Sequence, residues 1–209
     1  VLIYTAYNHR FEPSFIKMKT LLESKALGEL YTCRIFYGNG TARLVRESPW
    51  RDKGSGVLID LGSHLLATVR YWVGDIKGKL KLISVNNFEN KSPDHAVILC
   101  QNNNPRIELE MTLLSWKNHF SCDIFAEHGS AHIKSLCKWG AAEFCVHKRL
   151  LPSGPPVEEN YKFEKGDPTW SLEFEHFKLL CSNGVMTNFT QDLWIYNGLK
   201  EIETSALQK

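Results

Sequence analysis

The chain has 209 residues, 43% hydrophobic and 23% charged, the balance of a globular protein long enough to bury a substantial core. A net charge of +2, with Lys and Arg spread along the chain, leaves no basic footprint for nucleic acid, and no apolar run approaches the about 20 residues that span a bilayer. The six cysteines show no CxxC spacing and read as reduced, mostly buried small hydrophobes; with no signal peptide in the sequence, a cytoplasmic location is expected.

In chain order, Val1–Tyr7 is an apolar, β-rich run expected to form a strand buried on both faces, as in a parallel sheet. A buried strand at the first residue leads us to expect that its sheet belongs to a preceding part of a longer protein. Asn8-His-Arg-Phe11 follows directly past the carboxyl end of that strand, where ligands bind in open parallel sheets, and Asn8 and Arg10 are placed to reach one. Pro13 opens a helix carrying Phe15, Met18, Leu21 and Leu22, with Gly28 as its stop. Glu29 to Tyr37 alternates as a strand, and Gly38 to Gly56 reads as loop. Ser55 is the expected N-cap of the next helix, which ends near Gly74.

That helix holds the most informative stretch, Asp60-Leu-Gly-Ser-His64. Leu58, Leu61, Leu65, Val69 and Trp72 form one apolar stripe, while Asp60, His64, Ala67 and Tyr71 fall on a second line well away from it. One line anchors the helix; the other presents an acid–base pair at i, i+4. A histidine beside a carboxylate can take the proton of a substrate hydroxyl, although a local surface contact has the same spacing.

Six strands are expected between residues 80 and 150: Leu80–Phe88, His95–Gln101, Arg106–Trp116, Phe120–Glu127, Ala131–Ser135 and Glu143–Lys148. Short turns such as Asn102–Pro105 join them, which implies a mostly antiparallel sheet. Pro152–Pro156 is a loop. A helix over Thr169–Asn183 aligns Trp170, Phe174, Phe177 and Cys181, and a last one runs from Gln191 to about Ser205. The expected fold class is α+β: one open, mostly antiparallel sheet with helices packed on one face.

Other motifs read mostly as structure. Pro49-Trp-Arg51 combines a ring that can stack with a guanidinium that can clamp an anion, but on the residues alone an anchoring Trp with a solvated Arg is the preferred reading. Gly38 and Gly40 lack the third glycine of a dinucleotide loop. His128, His132, Cys137, Cys145 and His147 match no standard zinc spacing, and no metal is expected.

Taken together, Tyr7-Asn-His-Arg-Phe-Glu-Pro13, Leu27-Gly-Glu-Leu30, Trp50-Arg51, the run Gly54 to Leu66, Gly129-Ser-Ala131, Trp170 to Phe177 and the closing helix resemble the carboxyl-terminal domain of the Gfo/Idh/MocA oxidoreductase family, in order and spacing through almost the whole chain. The resemblance implies an amino-terminal Rossmann domain for NAD or NADP, with residues 1–11 as its last strand and 12–209 as a substrate and oligomerisation domain. It implies an NAD(P)-dependent dehydrogenase acting on a sugar, sugar derivative or cyclitol. Asp60 and His64 match the catalytic positions, His64 as acid–base group and Asp60 holding substrate and histidine. Arg10, Trp50 and Tyr37 correspond to the substrate side, and Asn8 and Arg51 to the cofactor side. The family's Gly-rich loop and its catalytic lysine lie outside this sequence. Ala67 stands where many relatives have an acid, and Ser55 replaces a glycine. The implied partners are a small sugar-like substrate and further copies of the chain, met through the open sheet face. The alternative is a non-catalytic binding or dimerisation module that kept the fold.

Overall fold

The computed structural model describes residues 1–100 and 105–206. An eight-stranded sheet forms the frame, in the order β2-β3-β4-β1-β5-β6-β7-β8. Its strands are β1 Leu30–Gly38, β2 Leu80–Asn86, β3 His95–Cys100, β4 Arg106–Thr112, β5 His119–Ala126, β6 Gly129–Lys134, β7 Ala142–Lys148 and β8 Val157–Phe163. Pairings are antiparallel except at the centre, where β1 runs parallel to β4 in the register Ile35↔Leu109. The helices are α1 Pro13–Glu23, α2 Ala42–Arg46, α3 Val57–Val73, α4 Thr169–Ser182 and α5 Phe189–Ala206. The fold is thus α+β, with an open, mostly antiparallel sheet.

Strand alternation builds the core. Cys33, Ile35 and Tyr37 of β1 are buried, as are Ile107, Leu109 and Met111 of β4 and Phe120, Cys122 and Ile124 of β5. Against that face lies the stripe Leu58, Leu61, Leu65, Val69 and Trp72 of α3, every member buried. Trp72 also donates its indole N–H to the Phe15 carbonyl at 3.1 Å, tying α3 to α1. On the other face Arg34 pairs with Glu108 at 3.2 Å, and Phe125 is exposed.

Several local expectations are corrected. Val1–Tyr7 makes no strand; Ile3 forms one parallel bridge to Thr187, and Val1 and Ile3 are exposed. A strand needs backbone partners, and here Ile3 donates its N–H to the Met186 carbonyl while the Thr5 N–H is taken by the Asn188 side-chain oxygen instead of a neighbouring strand. Helix α1 ends at Glu23, and Gly28 turns the chain into β1 instead of capping it. The loop after β1 contains α2, too short to show periodicity. Strand β8 was not expected: Val157, Tyr161 and Phe163 alternate with Glu158, Asn160 and Lys162, but the strand lies mostly exposed at the sheet edge and its apolar face is interrupted by Glu159. The turn expected at Asn102–Pro105 falls largely on 101–104, outside the described residues. The line Trp170, Phe174 on α4 is exposed, at 61% and 59%; α4 instead buries Thr169 and Glu173.

Candidate active site

Helix α3 positions His64 by two close approaches at glycine. Gly56, not Ser55, is its N-cap, at φ +46°, and a β-carbon there would lie 2.2 Å from the Pro93 carbonyl oxygen. Ser55 donates its hydroxyl to Glu203 on α5. A β-carbon on Gly62, the centre of the Asp60–His64 stretch, would lie 3.1 Å from the Met111 sulfur of β4. A bare backbone at that point lets α3 sit close to the sheet, which sends His64 toward Tyr37 of β1.

His64 lies in an aromatic nest. The His9 ring stacks on it with centroids 4.5 Å apart at 32°, Tyr7 meets it edge-on at 6.0 Å, and Tyr37 stands 6.5 Å away. His9 comes from a 3₁₀ turn, Asn8–Phe11, held by Asn8 donating to the Thr169 hydroxyl at 2.8 Å. Lys138, in a second 3₁₀ turn after β6, is an exposed residue whose ammonium reaches the buried Tyr37 and His9. It donates to Tyr37 Oη at 3.0 Å and to His9 Nε2 at 3.4 Å.

Burial sets the electrostatics. It pushes His64 down to about 4, Lys138 adding to the effect and Asp60 opposing it, so the imidazole is neutral at pH 7. Burial also lowers His9, helped by His64 and Lys138, and lowers Lys138 itself against the pull of Glu12, Asp167 and Asp60. Glu12, buried with Oε2 accepting the Cys137 N–H, is raised by burial. Tyr37 is raised by burial and by Asp60. His64 Nδ1 is sealed without a hydrogen-bond partner, which leaves Nε2 as the nitrogen a ligand can reach.

Of the expected site residues, Asn8 and Tyr37 are buried and the other five fall into two hollows. His64, Arg10, His9, Tyr7, Tyr71 and Asp192 line a cavity of about 300 Å³. Asp60, Arg51 and Trp50 line a neighbouring hollow of about 510 Å³. Asp60 therefore acts on His64 through charge and is itself paired with Arg51 at 3.3 Å. Trp50 is 78% exposed, with the Arg51 guanidinium 6.0 Å from its ring. Arg10 is fixed by Glu173 at 3.0 Å and by the Tyr4 hydroxyl. Tyr37 is buried beneath Lys138. Asn8 is buried with its amide donating to the Thr169 hydroxyl, where it braces the turn.

Sequence reasoning missed His9 and Lys138. His9 stood within a stretch already singled out, between Asn8 and Arg10. Lys138 is 129 residues away from His9, with no motif around it to signal the contact.

A family model described as the GFO/IDH/MocA C-terminal domain matches residues 15–132. The curated trans-1,2-dihydrobenzene-1,2-diol dehydrogenase of Oryctolagus cuniculus is 26% identical over 174 residues, 83% of this chain and 52% of that protein. This chain thus spans about half the length of that relative. Among solved structures, an NAD-binding oxidoreductase from Klebsiella pneumoniae superposes with a TM-score of 0.77 at 16% identity, covering 97% of this chain and 64% of that one. Levoglucosan dehydrogenase, in complex with NADH and levoglucosan, gives 0.65 at 18%, covering 78% and 47%.

Proposed function

The chain belongs to the GFO/IDH/MocA family, matching its carboxyl-terminal domain, and from that premise we propose that it is the substrate half of an NAD(P)-dependent dehydrogenase acting on a hydroxyl-bearing carbon of a sugar, sugar derivative or cyclitol. The observation that carries the reading is His64: an imidazole held neutral at physiological pH, one ring nitrogen sealed and the other reachable, at the wall of a 300 Å³ cavity. Such a group takes the proton from a carbinol oxygen as the carbonyl forms and returns it in the reverse direction. Asp60, across the helix face from the cavity, favours the imidazolium as it develops. Arg10 and Tyr7 line the substrate's cavity, with the guanidinium held in place by Glu173.

The Arg51–Trp50–Asp60 hollow fits a flat, anion-bearing cofactor in the chemistry of its lining: an exposed indole face for stacking and a guanidinium beside it. There Arg51 would contact the cofactor and Trp50 the substrate at their junction. A nicotinamide cofactor, when bound, supplies the hydride acceptor. Residues 12–209 serve as the substrate domain, entered through 1–11 from the nucleotide-binding half, and the open sheet face serves for assembly of copies in the cytoplasm. Substrates of this class are in keeping with trans-1,2-dihydrobenzene-1,2-diol and levoglucosan, for which the two similar dehydrogenases are named.

The test is a panel of sugars, cyclitols and vicinal diols offered to the intact protein with NAD and with NADP, followed by the absorbance of reduced nicotinamide. Reduction with at least one polyol, abolished in His64→Ala, is expected. Binding of polyols without reduction of either cofactor would favour the binding module instead.

A further inference from the structure

Two neutral imidazoles are stacked at this site, and only one of them can serve as base. We propose that Lys138 is a positioning residue that selects it: its ammonium occupies the Nε2 lone pair of His9 and leaves His64 to accept the substrate proton. The inference rests on reading His64 as the acid–base group, and it adds a residue and a function for His9.

A charged ammonium has donors and no acceptor, so with Lys138 protonated the 3.4 Å contact makes His9 Nε2 the bare nitrogen and puts the hydrogen on Nδ1. Protonating His9 at Nε2 would break that bond and set two cations against each other. His64 has no such contact; Lys138 reaches it only through its field. The second bond, to Tyr37 Oη at 3.0 Å, fixes the ammonium over a buried ring and leaves the Tyr37 hydroxyl hydrogen free to point elsewhere.

The remaining charges around the pair agree with this division. Asp60 faces His64 from its own helix, and Tyr7 stands edge-on from the amino-terminal segment. Glu12 and Asp167 face Lys138 and, with Asp60, favour its charged form, while Arg10 and Asp192 lie across the cavity. A cation kept in place by three carboxylates that do not contact it, and aimed at a neutral hydroxyl and a neutral imidazole, is placed to orient those two groups. His9 Nδ1 is buried without a partner, a cost that the Lys138 bond helps to offset by holding one tautomer.

The experiment is a pH series of long-range ¹H–¹⁵N imidazole spectra on the labelled protein, as wild type, Lys138→Met and Lys138→Arg. In the wild type His9 is expected as a single Nδ1–H tautomer, unprotonated as far down as the fold persists. In Lys138→Met, His9 should exchange between tautomers and the His64 midpoint should rise by about one pH unit. Lys138→Arg should keep the wild-type pattern; if it behaves as Lys138→Met does, the role of the cation is wrong. An Nε2–H tautomer at His9 in the wild type, or unchanged His9 and His64 signals in Lys138→Met, would overturn the proposal. In the active protein the acid limb of kcat/KM should move up in Lys138→Met with KM within about threefold, and a stationary limb would equally count against it. The spectra need no turnover, so a failed dehydrogenase assay would bear on the proposed function alone.

Discussion

His64 carries a consequence for stability as well as for chemistry. Its folded pKa, about 4, lies below the ordinary histidine value of 6.5, so the unfolded chain binds the proton more readily. Stability is therefore complete above about pH 6.5 and is lost as pH falls toward 4, at a limiting slope of about 1.4 kcal/mol per unit, with His9 acting in the same direction. Denaturant unfolding measured across that window should show the decline, and His64→Leu should make it shallower, leaving the His9 contribution. A wild-type protein equally stable at pH 6.5 and pH 4.5 would be inconsistent with a buried neutral pair. At this scale the sequence revealed part of the site: the i, i+4 spacing exposed Asp60 and His64 because helical geometry puts both on one line. Contacts made by chain reversal leave no such trace. His9 and Lys138 meet only because the turn after β6 folds back over the amino-terminal segment.

Among the elements, α3 was the most legible, since its apolar line is periodic and every member is buried, while of the polar line His64, Ala67 and Tyr71 share one cavity and Asp60 lies in the next. Its start was misread because a serine cap is a common signal, whereas the constraint here is steric: Gly56 lies against the Pro93 carbonyl with a positive φ. Gly56→Ala should destabilise the fold by about 2 kcal/mol or more, combining clash and backbone strain. Equilibrium unfolding checks this, and a loss under about 0.5 kcal/mol would mean that the turn relaxes freely. Leu65→Ala, in the fully buried stripe of the same helix, should cost about 2–5 kcal/mol. Strand β8 and the exposed line on α4 were illegible or misleading for one reason. Alternation and periodicity report burial only where a neighbouring layer exists; Val157 and Tyr161 of β8 are exposed, and the Trp170–Phe174 line of α4 is uncovered among the described residues.

At the scale of the molecule, one face of the sheet carries the helices and the site, and the other presents side chains such as Arg34, Glu108 and Phe125. If copies assemble through that face, Phe125→Asp should shift the protein to a smaller species in sedimentation equilibrium without changing the His64 signals; an unaltered mass would exclude that surface. The division of labour between faces was visible in the strand alternation, while the parallel β1–β4 pair at the centre was not, because strand order depends on long-range pairing. The most direct measurement is the pH dependence of kcat/KM for the best polyol substrate, in the intact protein and in His64→Ala. With His64 as base, the wild type shows an acid limb near pH 4, and the variant loses that limb together with about 10²–10⁴ of its turnover. A limb at the ordinary histidine value, or near-normal turnover in a correctly folded His64→Ala, would contradict it.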